Sequence, residues 1–307
     1  MSVKNKLQNA ISLLTQGHRK DAATELLVLE PIIVDKNLRI QLIDAMLSAL
    51  DSVENNDMLI KLSNEGIGIA GEYNRKDLQA FFMSRNADFL MINMTFLQYD
   101  RDCLKLSPGW TEFSTEVDKE KYEKLTAEIK RNENEIDHLL NDALVLADQS
   151  GDRQTGARIL MTSAGIESLR YLNYKGECMR SSLCAKLWLR FEFIRYPFYE
   201  RLFVSSNSEK KKLNNLVMSF TEKFIKAAQI LEGLNDSMAG YAYHNLANDL
   251  KSAYKFKKAK KYLSKAKAIA EKHNDQLLNK QVELLEKAIK ARNKDIPDYI
   301  NGETRDG

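Results

Sequence analysis

Helix breakers are scarce in this chain: 307 residues hold four prolines and 13 glycines. No run of alternating β-branched and polar residues interrupts the remainder, so the expectation is an all-α fold. Cysteine is scarce too. Cys103, Cys178 and Cys184 are an odd set without metal-type spacing, which predicts reduced thiols and a cytoplasmic setting. Met1 to Lys6 lacks the charged-then-apolar layout of a signal peptide. The most apolar run, FLMINMTFL at 89–97, is far shorter than the roughly 20 residues that cross a bilayer. Catalytic signatures are missing as well. His18, His138, His244 and His273 lie far apart in sequence, and there is no Gly-x-Ser-x-Gly elbow and no phosphate-cradling glycine loop. The single metal-like spacing, Glu135-x-x-His138, has no second copy of the kind a di-iron bundle needs. The expectation is a non-enzymatic protein with no metal and no cofactor.

What the chain does have is a helical beat of small and large apolar residues, clearest in AYHNLANDLKSAYKFKKAKKYLSKAKAIAEKHND at 242–275. Tyr243, Leu246, Ala247 and Leu250 fall on one face of a first helix, and Ala259, Leu263, Ala266 and Ala270 on one face of a second. Alanine at 247, 259 and 266 permits close approach of two backbones, while Tyr243, Leu250 and Leu263 fill the space around the contact. This hairpin resembles the tetratricopeptide repeat, with Glu271 where the family's late proline is usual.

Weaker copies of the second helix and its terminal turn recur. The skeleton Ala266, Ala270, Asp275 returns as Ala143, Ala147, Asp152, as Gly66, Ala70, Arg75, and as Ala227, Leu231, Asp236. A fainter copy, with Ala10, Leu13, Ala22 and Leu26 around Gly17, opens the chain. Uneven spacing of these copies implies an irregular right-handed α-solenoid of tetratricopeptide-like hairpins. The expected division is N-terminal hairpins over 1–98, an insertion loop over 99–117 with Pro108, Gly109, Trp110 and Phe113, and central helical repeats over 118–204. C-terminal hairpins and a capping helix follow over 205–293, then a tail over 294–307 expected to be disordered.

Charge is unevenly distributed. From Lys251 to Arg292, 13 basic residues face four acidic ones, against a net charge of +3 for the whole chain. Lys255, Lys257, Lys258, Lys261 and Lys265 form a basic stripe, suited either to solvating a terminal hairpin or to holding an acidic peptide or a nucleic-acid backbone. The resemblance implies a peptide-binding groove lined by the first helix of each hairpin, which here falls on Tyr241, His244, Asn245, Asn248, Lys251 and Ser252, continued by Lys280, Glu283 and Lys287. Asn245 and Asn248 suit an extended backbone, and His244 and Lys251 a carboxylate. The same transfer to the centre of the chain gives an apolar lining of Ala157, Leu160, Met161 and Ala164. A protein or peptide scaffold is thus the leading expectation. A nucleic-acid-associated accessory protein and a small-peptide sensor are the alternatives.

Overall fold

A computed structural model describes residues 2–104, 116–181 and 207–291. These residues form eleven helices and, among them, no strand. The helices are α1 (Val3–Thr15), α2 (Arg19–Leu29), α3 (Lys36–Ala49), α4 (Asn56–Glu72), α5 (Lys76–Cys103), α6 (Glu116–Ser150), α7 (Arg153–Ser181), α8 (Asn207–Gly233), α9 (Met238–Ser252), α10 (Phe256–Lys272) and α11 (Gln276–Ala291). The all-α expectation holds. Among the described residues no helix is long and apolar enough to cross a membrane.

The chain divides into two compact units, Met1–Ile159 and Leu160–Gly307, with the division inside α7. In the first, each helix from α1 to α6 packs on the next, and α1 also meets α3. In the second, α8 packs on α9, α9 on α10, and α10 on α11, while α9 also touches α11. Sequential packing of this kind is what a helical repeat produces.

One backbone device recurs at the turns. Gly17, Asn74, Gly151, Asn235, Tyr254 and Asn274 all adopt a positive φ, between 52° and 85°. At each, the following residue donates its N–H to the carbonyl five positions back: His18 to Leu13, Arg75 to Ala70, Asp152 to Ala147, Asp236 to Leu231, Lys255 to Leu250 and Asp275 to Ala270, at 2.8–3.1 Å. This 6→1 bond satisfies a carbonyl that the helix end would otherwise leave orphaned. The donor residue directly precedes the next helix except at Asp236, and two aspartates cap theirs: Asp152 accepts from the Thr155 N–H and Asp275 from the Leu278 N–H, whereas Asp236, one residue further out, accepts from the Met238 N–H. The four skeleton copies superposed in the sequence therefore mark one repeated turn.

Asparagine tolerates the left-handed region because its short polar side chain bonds locally, whereas alanine at that φ meets its own carbonyl. Asn274→Ala is expected to cost about 1 kcal/mol, and Asn274→Gly to be neutral or slightly stabilising. Urea-unfolding midpoints of the three proteins check this, and a loss equal in both variants would count against the turn as the cause.

Tyr254 is the bulky exception. The Lys175 ammonium lies 4.0 Å from the Tyr254 ring centroid, with the Phe256 ring edge-on at 6.1 Å on the helix that follows. The same ammonium donates to the Ser252 carbonyl at 3.3 Å, so α7 reaches across to the carboxyl end of α9 and holds its turn.

The core of the first unit gathers Leu7, Leu26, Leu42, Met46, Leu59, Phe82 and Phe89. Arg39 is enclosed between the Glu30 and Glu65 carboxylates, at 2.8 and 2.6 Å, which keeps it protonated. Two further connections use a different chemistry from the recurring turn. Asp51 accepts from the Val53 and Glu54 N–H groups between α3 and α4, and Asp35 caps α3 through the Leu38 N–H.

One expectation needs adjustment. Helix α5 runs through Cys103 and α6 begins at Glu116, so both enter the 99–117 stretch read as a loop. Trp110, Phe113, the aromatic-rich run LWLRFEFIRYPFYERLF at 187–203, whose spacing predicts a core role, and the tail 294–307 lie outside the described residues.

Candidate binding surfaces

Helix α9 is covered on three sides by its own unit. Ala239, Ala242, Tyr243, Leu246, Ala247, Leu250 and Ala253 are buried in the core. On one flank the Asp249 carboxyl bonds Ser168 of α7; on the other, Gly240 lies against Leu278 and His244 reaches the Gln281 backbone, both on α11. The side left over carries Tyr241, Asn245, Asn248 and Ser252 at i, i+4, i+7 and i+11. Asn245 and Asn248 are exposed, and Tyr241 and Ser252 half-buried.

The six residues expected to line a groove therefore divide. Asn248 presents its amide to solvent, and the exposed Asn245 sets its Oδ1 3.4 Å from the His244 Nδ1. The Tyr241 hydroxyl donates to Asp275 at 3.3 Å, on the carboxylate oxygen that caps α11, and so fastens the start of that helix. Burial, with the Asp275 carboxylate beside it, raises the Tyr241 phenol above its ordinary value. The Ser252 hydroxyl turns back to the Asn248 carbonyl at 3.2 Å. Lys251 is half-buried on the same flank as His244. Burial pulls the His244 imidazole below its usual range, more than its bonds to Asn245 and the Gln281 backbone raise it. Burial thus favours the neutral ring, whose hydrogen bonds go to Asn245 and the Gln281 backbone within the unit.

Lys280, Glu283 and Lys287 are exposed on α11. The apolar set on α7 is corrected: Ala157 and Ala164 are fully buried, Leu160 is 9% exposed and Met161 half-buried. These side chains pack in the cores of their units and line no open surface. The Tyr171 ring is buried edge-on to Phe220.

All five residues of the basic stripe are exposed. Lys265 has a structural task, donating to the Tyr243 hydroxyl at 3.2 Å beside the stacked Tyr243 and Tyr262 rings. Lys257, Lys258, Lys260 and Lys261 crowd the first turns of α10, where the helix dipole disfavours positive charge and the first turn itself holds no acidic residue. Charge also follows the two units. Residues 1–159 hold 19 basic and 26 acidic side chains, residues 160–307 hold 27 and 17.

Glu135 and His138 both lie on the exposed face of α6. Among the described residues no three of His, Cys, Asp and Glu converge as metal ligands would. Sequence reasoning passed over Asp249, Ser168 and Lys175, because their partners come from a helix some 80 positions away and no local pattern announces them. No protein-family model matches the chain, and no curated protein sequence matches it.

Proposed function

We propose that the chain is an irregular right-handed α-solenoid of tetratricopeptide-like hairpins that serves as a non-enzymatic, cytoplasmic scaffold for a protein or peptide partner. The observation that supports this most is the uncovered stripe of α9, where two exposed asparagines stand one turn apart on a helix whose other sides are packed. An asparagine pair offers both donors and acceptors to an extended backbone. Lys251, Lys280 and Lys287 supply positive charge around it, which favours an acidic partner.

Affinity capture followed by mass spectrometry tests the reading, with wild type, Asn245→Ala with Asn248→Ala, and Lys257→Glu with Lys261→Glu compared under nuclease. The expected result is a protein retained after nuclease, kept by the lysine variant and weakened tenfold or more in the asparagine variant. Each hydrogen bond lost at such an exposed site is worth about 0.5–1.5 kcal/mol.

The lysine-crowded start of α10 favours a second reading, a nucleic-acid-associated protein. It requires capture to be abolished by nuclease and by the lysine variant alone, with affinity falling steeply as salt rises. That outcome would displace the peptide scaffold.

A further inference from the structure

Helix α11 carries two apolar seams side by side. One, of Leu278, Val282, Leu285 and Ile289, is buried in the second unit's core. The other runs Leu277, Gln281, Leu284, Ala288, with the same 4-3-4 spacing of a heptad seam; its two leucines are exposed, and Gln281 and Ala288 between them are half-buried. Leu277 is 60% exposed and Leu284 58% exposed, two turns or about 10 Å apart along the axis. A single exposed leucine is ordinary; two on one heptad stripe beside a packed seam form a continuous face.

We propose that this second seam docks an amphipathic α-helix of another protein whose apolar stripe is edged by glutamate or aspartate. With Leu277 and Leu284 at d and Gln281 and Ala288 at a, the flanking g positions are Lys280 and Lys287, both exposed. The e positions on the opposite flank are the buried Leu278 and Leu285, so only one edge of the seam is wet, and that edge is basic. Interhelical charge at these positions sets partner choice. Glu283 and Glu286 take the c and f positions away from the seam, and Glu286 is tied to Lys290 at 2.9 Å. A second copy of α11 is disfavoured, because antiparallel pairing of the seam with itself sets Lys280 and Lys287 against lysines, and parallel pairing offers them only the buried leucines at e. Gln281 at an a position costs affinity and fixes register, as a polar residue in such a seam does.

This docking shares Lys280 and Lys287 with the charge around the α9 stripe but does not rest on its asparagines, and the leucine and asparagine variants separate the two. The probe is a fluorescent three-heptad peptide with leucine at a and d and glutamate at e and g, beside a twin with lysine at e and g. Anisotropy against the full chain should show binding of the acidic peptide, and binding of the basic twin at least tenfold weaker. Leu277→Ser with Leu284→Ser should weaken the acidic peptide tenfold or more while leaving the helical circular dichroism and the melting temperature unchanged, since both side chains are on the surface. Lys280→Glu with Lys287→Glu should reverse the preference between the peptides. Asn248→Ala should leave both affinities alone, and Lys257→Glu with Lys261→Glu should change them by less than threefold.

Three results overturn the proposal. One is acidic-peptide binding indifferent to the leucine pair. Another is a loss from the α10 lysine variant as large as that from Lys280→Glu with Lys287→Glu. The third is a concentration-dependent dimer of the chain that the leucine substitutions abolish.

Discussion

Asp249→Asn should stabilise the protein by up to about 4 kcal/mol at pH 8 and by almost nothing at pH 4. The Asp249 carboxyl is enclosed between α9 and α7 although part of the residue remains accessible, and burial raises its pKa from 3.8 to about 7. The hydrogen bond from Ser168 and the charge of Lys251 act in the opposite direction and do not compensate. A raised carboxyl keeps its proton in the folded state after the unfolded chain has released it. Stability is thus highest below the unfolded value and falls as pH rises from about 4 to about 7, where the folded form ionises too and the loss levels off. Each pKa unit corresponds to about 1.4 kcal/mol, which sets the size of the effect. Asparagine keeps the shape and the link to Ser168 without a charge to desolvate. Paired urea titrations of wild type and variant at pH 4.5 and pH 8 isolate this group, because every other carboxylate is common to both. A gap between the two proteins that does not widen with pH would show that Asp249 is ionised throughout. A change of this size close to neutrality would also loosen the packing of α9 on α7, next to the stripe that carries Asn245 and Asn248.

What could be read in the sequence follows from where the physics is local. The copies built on Ala270 and Asp275, Ala147 and Asp152, Ala70 and Arg75, and Leu231 and Asp236 were legible because the 6→1 turn fixes a five-residue interval between acceptor and donor. Alanine is favoured just before it because helices meet closely there. The passage from α2 to α4 was not legible: Asp35 and Asp51 make its bends with their side chains, and that chemistry has no fixed interval to superpose. At the candidate site, the resemblance to the tetratricopeptide hairpin implied a groove of Tyr241, His244, Asn245, Asn248, Lys251 and Ser252, of which Tyr241, Asn245, Asn248 and Ser252 share one stripe. It could not show that Tyr241 is committed to Asp275, or that burial favours the neutral ring of His244. The apolar set on α7 illustrates the limit in reverse. The transfer of groove positions made Ala157, Leu160, Met161 and Ala164 a lining, and only tertiary packing decides that this face is covered.

Gly240→Val should cost about 3 kcal/mol, near the upper end for overpacking a core. Gly240 is helical, and in an exposed helix its replacement would be favourable, because glycine sacrifices roughly 1 kcal/mol of helix propensity. Here the space decides the sign. A Cβ at this position would come to 2.4 Å from Leu278 Cδ2 and 3.1 Å from Ile269 Cγ2, both well inside van der Waals contact. Leu278 has no exposed surface and cannot swing into solvent, and Ile269 is β-branched with little rotamer freedom on α10. The clash must therefore be relieved by moving α11, or α10, away from α9. That separation would strain the Tyr241 to Asp275 bond and the contact of His244 with the Gln281 backbone. A double-mutant cycle locates the cause. If the Leu278 methyl is the obstacle, adding Leu278→Ala to Gly240→Ala should cost less than the sum of the two single changes by about 1 kcal/mol or more, since the new methyl occupies part of the vacated space. Strict additivity in chemical denaturation, or a Gly240→Val protein as stable as wild type, would mean that α9 and α11 do not approach each other at this glycine. The close approach that sets the spacing of their uncovered faces would then be wrong.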